Sequence, residues 1–408
     1  MENRLIKSLL TVVVLCALGG IIGFAAGIQY QKSIAPIPQP TIPGLDFSIV
    51  WQAFNELDKS YLRPLDLKKM SYGAAKGMVE ALGDPYTVFL EPQSAQALEE
   101  DISGEFEGVG MIVDKKDGYI VAVSPIKGSP AEAAGLKPGD KILKVNATST
   151  DGLDLDQVVK MIRGKKGTQV KLTIARGEVN ASNMREFMIT RDVINVPSVE
   201  LDFVKSPDGE EIAHLTVSQY TMNTHRDFQK AMREVDRKKI KRLIIDLRNN
   251  PGGLLDQATA LSEYFLKKGD VIVIEGGGKV SEEKVYTAFE DGKYREMPLV
   301  VLINKGSASG AEIMAAALHD NGRAKLIGET TFGKGSVQMP LKLRDGAMLK
   351  MTIAQWMTPK KEIIDQKGIM PDIEIKLSEN GTSTAAQNGE NSKDTQLEKA
   401  IEIIKTID

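Results

Sequence analysis

From about residue 195 the chain alternates short apolar runs with amphipathic stretches, a pattern that few folds can satisfy. Val271–Ile274 and Leu299–Ile303 are short and uniformly apolar, and Leu243–Leu247 is apolar apart from Asp246, as suits strands buried on both faces. Ile212–Val217 reads as a further strand, and helical stretches follow at Thr224–Val235, Leu254–Phe265 and Ser309–Leu318. Glycine-rich turns join the strands to the helices. Such alternation implies an α/β core with a largely parallel sheet.

Upstream the pattern changes. Met111–Val113 and Tyr119–Val123 are β-prone runs joined across Asp117-Gly118, a hairpin-type turn. Ser129-Pro130 opens a brief helix, and Lys141–Val145 and Val170–Ala175 are further strands. Leu155, Val158, Val159 and Ile162 stand at helical spacing behind Asp154. Residues 99–193 therefore form a compact β-rich module. Residues 46–98 read as a helical cap or dimerisation segment, with Asp46 as the first N-cap and a second helix from Leu67 to Leu82 ended by Gly83-Asp84-Pro85.

The first 32 residues hold an apolar run, Leu9–Ile28, behind Arg4 and Lys7. Twenty helical residues span roughly 30 Å, the hydrocarbon thickness of a bilayer. The run is read as a retained membrane anchor with the bulk of the chain outside the cytoplasm, the alternative being a cleaved signal sequence. Val14-Leu15 before Cys16 argue against a lipoprotein. Residues 33–45 are a proline-rich tether. Residues 378–396 carry no apolar side chain larger than Ala and read as disordered, and residues 397–408 as a C-terminal helix behind a Thr395/Glu398 capping box. That helix is too short to stand alone and needs a surface to dock on.

Composition narrows the chemistry. With 52 Lys+Arg against 55 Asp+Glu and no polybasic run, nucleic-acid binding is disfavoured. One cysteine and three histidines leave no disulfide framework and little room for a metal site, so no cofactor is expected. Three loops remain. In Asn304–Glu312, a serine at a strand-to-helix junction could act as a nucleophile beside helix N–H groups, or simply cap the helix. His319 is ten residues beyond Ser309 on the same helix, about 15 Å away and out of reach as its base. His214 and His225 read as packing and surface residues. Lys334, between Gly333 and Gly335, is a better base, since a lysine in an apolar cleft loses its proton readily. Gln338 could hold the amine. Gly328-x4-Gly333-Lys334 imitates a phosphate-binding loop, but Gly335 stands where magnesium needs Ser/Thr and Pro340 precludes the following helix. The third loop, Asn249–Gly253, could supply an oxyanion donor or be only a tight turn.

Six motifs in order resemble the carboxyl-terminal processing (tail-specific) proteases: Gly83-Asp84-Pro85-Tyr86-Thr87; Gly104 through Gly110; Ser129-Pro130-Ala131 through Gly139-Asp140; Asp246 through Gly253; the Ser307-Ala308-Ser309 loop; and Gly333-Lys334-Gly335 with Gln338. The resemblance covers roughly residues 46–378. It implies a multidomain α+β protein: a crotonase-like α/β protease core (194–377) with an inserted β-rich PDZ domain and helical N- and C-terminal segments, preceded by one transmembrane helix. It places the nucleophile on Ser309 rather than Ser307, the general base on Lys334, and the residue orienting that lysine on Gln338. Backbone oxyanion donors fall on Gly253 and Gly310. Family members often have Ala or another small residue after the serine, so Gly310 is a departure. The loop Gly108, Val109, Gly110 and Met111 would receive a substrate's C-terminal carboxylate.

The implied activity is a Ser–Lys endopeptidase acting on protein tails, on the extracytoplasmic side of a bacterial membrane, as a homo-oligomer and with an adaptor protein as a further partner. A membrane-tethered PDZ scaffold, with an inactive or adaptor-gated core, is the alternative.

Overall fold

A computed structural model describes residue 44 and residues 46–180, 182–277, 282–376 and 394–407. The apolar run at residues 9–28, all of the tether but residue 44 and most of the segment expected to be disordered lie outside the described residues. Among the described residues no helix is long and apolar enough to cross a membrane. The chain divides into two units, 1–71 and 72–408.

In the first unit a helix spans Ser48–Ser60, with Trp51 edge-on to Phe54. It starts later than its apolar spacing suggests. Phe47 is the N-cap, and Asp46 accepts the Ser48 N–H at 2.8 Å. The helix Leu67–Glu80 runs across the division.

In the second unit the core is a six-stranded sheet in the order Val199–Lys205, Glu211–Val217, Leu243–Asp246, Leu299–Ile303, Lys325–Gly328, Ile373–Glu374. The first pair is antiparallel and all the others are parallel. Side chains alternate between two buried faces. Leu243, Ile245, Leu299, Val301 and Ile303 join the main core with the helices Thr224–Lys238, Leu255–Glu263 and Gly310–Asp320. Ile244, Val300 and Leu302 point the other way, onto Ala400 and Ile404 of the C-terminal helix. The apolarity of Leu243–Ile245 and Leu299–Ile303 thus has its cause: both faces are covered.

That C-terminal helix, Thr395–Ile404, docks on its own body. It begins two residues before the expected residue 397, and its cap is Asp394, whose carboxylate accepts the Leu397 N–H at 3.0 Å, in place of the expected Thr395/Glu398 box. Asp394 has a second task. It meets the buried Arg248 guanidinium at 2.8 Å, which also holds Asp246 and the Gln396 side-chain oxygen Oε1. His214 completes this network through Nε2 to Asp246 at 3.1 Å.

A second sheet runs Val88–Leu90, Met348–Met357, Val271–Gly276, Lys284–Thr287, with Ser336–Lys342 paired to the other edge of Met348–Met357. The β-rich module is its own sheet of Met111–Lys116, Tyr119–Pro125, Asp140–Val145, Gln169–Arg176 and Met184–Thr190, packed on the helix Leu155–Ile162. Its first hairpin turns on Asp117 (φ 50°) and Gly118 (φ 79°), both left-handed as a two-residue turn requires. A short antiparallel pair, Glu105–Gly108 with Asp192–Asn195, closes the module where the chain enters and leaves.

Burial pushes the Asp246 carboxyl up, but hydrogen bonds and charge from His214 and Arg248 outweigh it and hold it at about 2 against an ordinary 3.8. A depressed carboxyl contributes stability that is complete above about pH 4 and is lost as the pH falls toward 2. The urea midpoint of the parent is therefore expected to fall across that window more steeply than that of Asp246→Asn. Arg248→Met, which strands two carboxylates, is expected to cost about 3–5 kcal/mol in urea denaturation at neutral pH.

Candidate active site

Ser309 sits where the strand Leu299–Ile303 turns into the helix Gly310–Asp320, with φ 53° and ψ −114°. For a residue with a Cβ this backbone is strained by about 1–3 kcal/mol and survives only where surroundings enforce it. They do. Its N–H donates to Glu312 Oε2 at 2.8 Å, and the preceding Ala308 N–H donates to the Asn250 carbonyl at 2.9 Å. Ser307 has a different position: fully buried, it donates its hydroxyl to the Leu247 carbonyl at 2.8 Å and accepts the Asn304 N–H at 3.0 Å. Ser307 is a structural pin. Ser309 is half-buried.

Asn249–Gly253 lies against this turn. A Cβ on Gly252 would stand 2.7 Å from the Ser309 Cβ and 2.8 Å from the Gly310 nitrogen, so only glycine allows the two loops to meet. Gly253 forms a parallel bridge with Tyr220, made by Leu254 N–H to Tyr220 O and Tyr220 N–H to Gly252 O. In that geometry its own N–H points away from Tyr220. The N–H groups of Gly253 and Gly310 have no acceptor among the described residues. Gly310 also has a local reason to be glycine, since a Cβ there would lie 3.0 Å from the Tyr220 ring.

Lys334 arrives on the loop after the strand Lys325–Gly328, and Glu312 holds that loop as well. This fully buried carboxylate accepts Thr331 Oγ1 at 2.6 Å, Gly333 N–H at 2.7 Å and Lys334 N–H at 2.9 Å, besides Ser309 N–H. One side chain therefore ties the serine turn to the lysine loop. No role for Glu312 was legible from the chemistry of the loop, although Ser309-x-x-Glu312 is the pattern of a capping box. Burial holds the Lys334 ammonium below the usual lysine range, the charge of Lys350 lowers it further, and Glu312 opposes both. The Nζ faces the Tyr86 ring at 5.4 Å from its centroid.

Among the described residues no hydrogen bond joins Lys334 Nζ to Ser309 or to Gln338. Gln338 is half-buried, and its amide donates instead to the Ser336 hydroxyl at 2.7 Å and carbonyl at 3.1 Å. The other ionisable candidates are occupied elsewhere. His319 pairs with Asp320, and His225 meets the Tyr264 hydroxyl at 2.8 Å. After Gly335 comes the strand Ser336–Lys342, so the phosphate-loop likeness lacks its helix.

In the β-rich module, Gly108, Val109 and Gly110 are buried at the mouth of a groove of about 470 Å³ between the strand Met111–Lys116 and the helix Leu155–Ile162. Gly110 has φ 75°, and a Cβ there would strike Ser129. The Val109 and Gly110 N–H groups have no acceptor among the described residues. Met111, Val113, Val159 and Ile162 make the groove apolar. Arg163, at its rim, stacks on Phe106 and pairs at 2.6 Å with Glu100 of the helix Pro92–Ser103.

Comparison with known proteins gives these features a family. Residues 211–375 match the model for peptidase family S41, residues 121–176 that for a PDZ domain, and residues 31–94 that for the activating protease CtpB N-terminal domain. The chain is 40% identical over 370 residues to the carboxy-terminal processing protease CtpA of Bacillus subtilis, covering 90% of this chain and 76% of that protein. It is 39% identical to a Staphylococcus epidermidis protein named "Probable CtpA-like serine protease", covering 79% of this chain and 64% of that protein's length. A solved structure from Bacteroides fragilis, named "Putative S41 protease", is 17% identical, covers 91% of this chain and 99% of its own, and has a TM-score of 0.57; that likeness concerns the fold alone.

These matches make the chain a serine-type peptidase of family S41 bearing a PDZ domain. The chain belongs to the carboxy-terminal processing proteases.

Glu312→Gln places an amide NH2 among four donors, and each donor left buried without an acceptor costs about 1–3 kcal/mol. It is expected to lower the thermal midpoint measurably and peptidase turnover at least about tenfold, read by calorimetry and product formation. Ser307→Ala should cost stability by the same reasoning.

Proposed function

We propose that the chain is an endopeptidase that takes protein tails in its PDZ groove and cleaves them by Ser–Lys acyl transfer. The observation that carries this reading is the shared carboxylate: Glu312 Oε2 binds the backbone N–H groups of both Ser309 and Lys334, at 2.8 and 2.9 Å. The two groups the chemistry needs are thereby held on facing loops.

In the first step Ser309 Oγ attacks the scissile carbonyl carbon while its proton passes to the neutral Lys334 amine. The negative charge that develops on the carbonyl oxygen falls to the Gly253 and Gly310 N–H groups, which have no acceptor among the described residues. Collapse breaks the C–N bond, and the leaving amine takes the proton from Lys334. Water then adds to the acyl-serine, gives its proton to the same lysine, and the serine leaves with it. A base for this work must be neutral near the working pH, and the burial of Lys334 favours that state. Gln338 orients the amine once its side chain turns from Ser336 toward Lys334.

The Gln338 amide, held on Ser336 and away from Lys334, favours a gated enzyme over a constantly active one. In this reading a tail seated at Gly108–Met111 shifts the population toward the competent arrangement. The same reading places the chain on the extracytoplasmic side of a bacterial membrane, anchored or secreted through residues 9–28. It is assembled as a homo-oligomer and open to an adaptor protein.

The test is incubation of the full chain, Ser309→Ala and Lys334→Ala with an unfolded protein ending in apolar residues, with products followed by mass spectrometry. Cleavage by the parent alone is the expected result. Equal cleavage by all three removes the Ser–Lys assignment, and silence of all three with intact tail binding favours the scaffold. For the gate, Gly108→Val is expected to depress cleavage of long tails more than hydrolysis of a small ester, and equal losses would remove it.

A further inference from the structure

The Gly83–Thr87 motif has no part in the chemistry so far, yet it is held with some care. Asp84 accepts the Tyr86 N–H at 2.9 Å and the Thr87 hydroxyl at 2.6 Å, fixing a tight turn. The Thr87 oxygen in turn accepts the Thr352 N–H at 2.9 Å. The next residues, Val88–Leu90, pair with Met348–Lys350 of the same long strand. Tyr86 is thus pinned to the strand Met348–Met357 by side-chain and ladder bonds, and its ring is presented to Lys334.

We propose that Tyr86 is a positioning residue for the general base: its ring is the wall against which the Lys334 amine is held, and it sets how readily that amine gives up its proton. This rests on the Ser309–Lys334 reading above.

Two opposed effects meet at the ring. At 5.4 Å from the centroid, the Nζ lies within the range where the negative face of an aromatic ring favours an ammonium. The same ring keeps water off one side of the amine, which disfavours the charge. The other groups facing Lys334 are Lys350 from the strand that anchors Tyr86, which disfavours the ammonium, and Glu312 from the nucleophile's helix, which favours it. Asp365, on the adjoining loop, gives its carboxylate to the Gly335 N–H at 3.2 Å. The ring is the only aromatic face toward this amine among the described residues, so substitutions at Tyr86 separate its two effects.

The experiment compares Tyr86→Phe, Tyr86→Leu and Tyr86→Ala in the full chain, with Lys334→Ala as control. kcat/KM is measured from about pH 6 to 10, where the acid limb reports the free base. Phe keeps the ring and is expected to keep the parent's limb. Leu keeps the bulk without the π face, so the ammonium loses support and the limb moves down by about half a pH unit. Ala admits water, and the limb moves up. If the Ala chain does not fold, as judged by its thermal melt, the Phe and Leu pair decides alone.

A residue that merely stabilises the fold would lower kcat without moving the limb. Superimposable limbs in Leu and parent, with Lys334→Ala inactive, overturn the Tyr86 assignment and leave the Ser–Lys reading intact. A raised KM with an unmoved limb does the same, placing the ring on the substrate instead. Cleavage by Lys334→Ala at the parent's rate overturns the Ser–Lys reading itself, and Tyr86 with it.

Discussion

A carboxylate with no exposure needs a donor for each of its lone pairs, and the donors around Glu312 come from two loops that are far apart in the chain. Ser309 N–H on one side and Thr331, Gly333 and Lys334 on the other converge on its two oxygens. Because the carboxylate is buried, moving either loop leaves it short of a donor. The strained backbone of Ser309 is tolerable for the same reason: the strain costs less than the bonds that relaxing it would break. The site's geometry is in this sense a consequence of satisfying one side chain.

The same carboxylate sets a limit on the lysine. A general base should be easy to deprotonate, yet Glu312 favours the ammonium. Burial and Lys350 act in the opposite sense, and the net direction is downward. Placing Glu312 against the lysine's backbone N–H, with the amine out toward Tyr86, reconciles the two demands. The carboxylate positions the residue through its main chain while its charge acts on the amine from a distance.

The parts of this architecture legible in the sequence are those whose cause is local. Runs such as Leu299–Ile303 announce strands covered on both faces, and Asp117-Gly118 announces a hairpin turn, because each depends on neighbouring residues alone. The strand Met348–Met357 has no such signature: beyond its hairpin partner Ser336–Lys342, its neighbours Val88–Leu90 and Val271–Gly276 are remote in sequence, and pairing with them helps decide its state. The cap at Asp394 eluded the capping-box pattern because the residue is held by Arg248, 146 positions earlier. At the site, Lys334 and the Ser307–Ser309 loop stand out by residue type and setting, but only the family resemblance chooses Ser309 over Ser307; the difference in their burial is set by tertiary contacts. Tyr86 acts through contacts that no spacing encodes, and for Glu312 the spacing encodes only its bond to the Ser309 N–H and not those to the lysine loop.

The turn that carries Gly252 and Gly253 is gripped from opposite sides, and this bears on why the C-terminal helix is part of the fold. Above it, Ser307 takes the Leu247 carbonyl and Ala308 takes that of Asn250. Below it, Arg248 is locked between Asp246 and the helix cap Asp394. Leu247 and Arg248 are adjacent, so the pin from the nucleophile's loop and the pin from the helix enter the backbone within one residue of each other. A short helix that is unstable alone gains its order from the apolar face it covers. In docking there it also fixes one end of the loop whose glycine must approach Ser309 to within van der Waals distance.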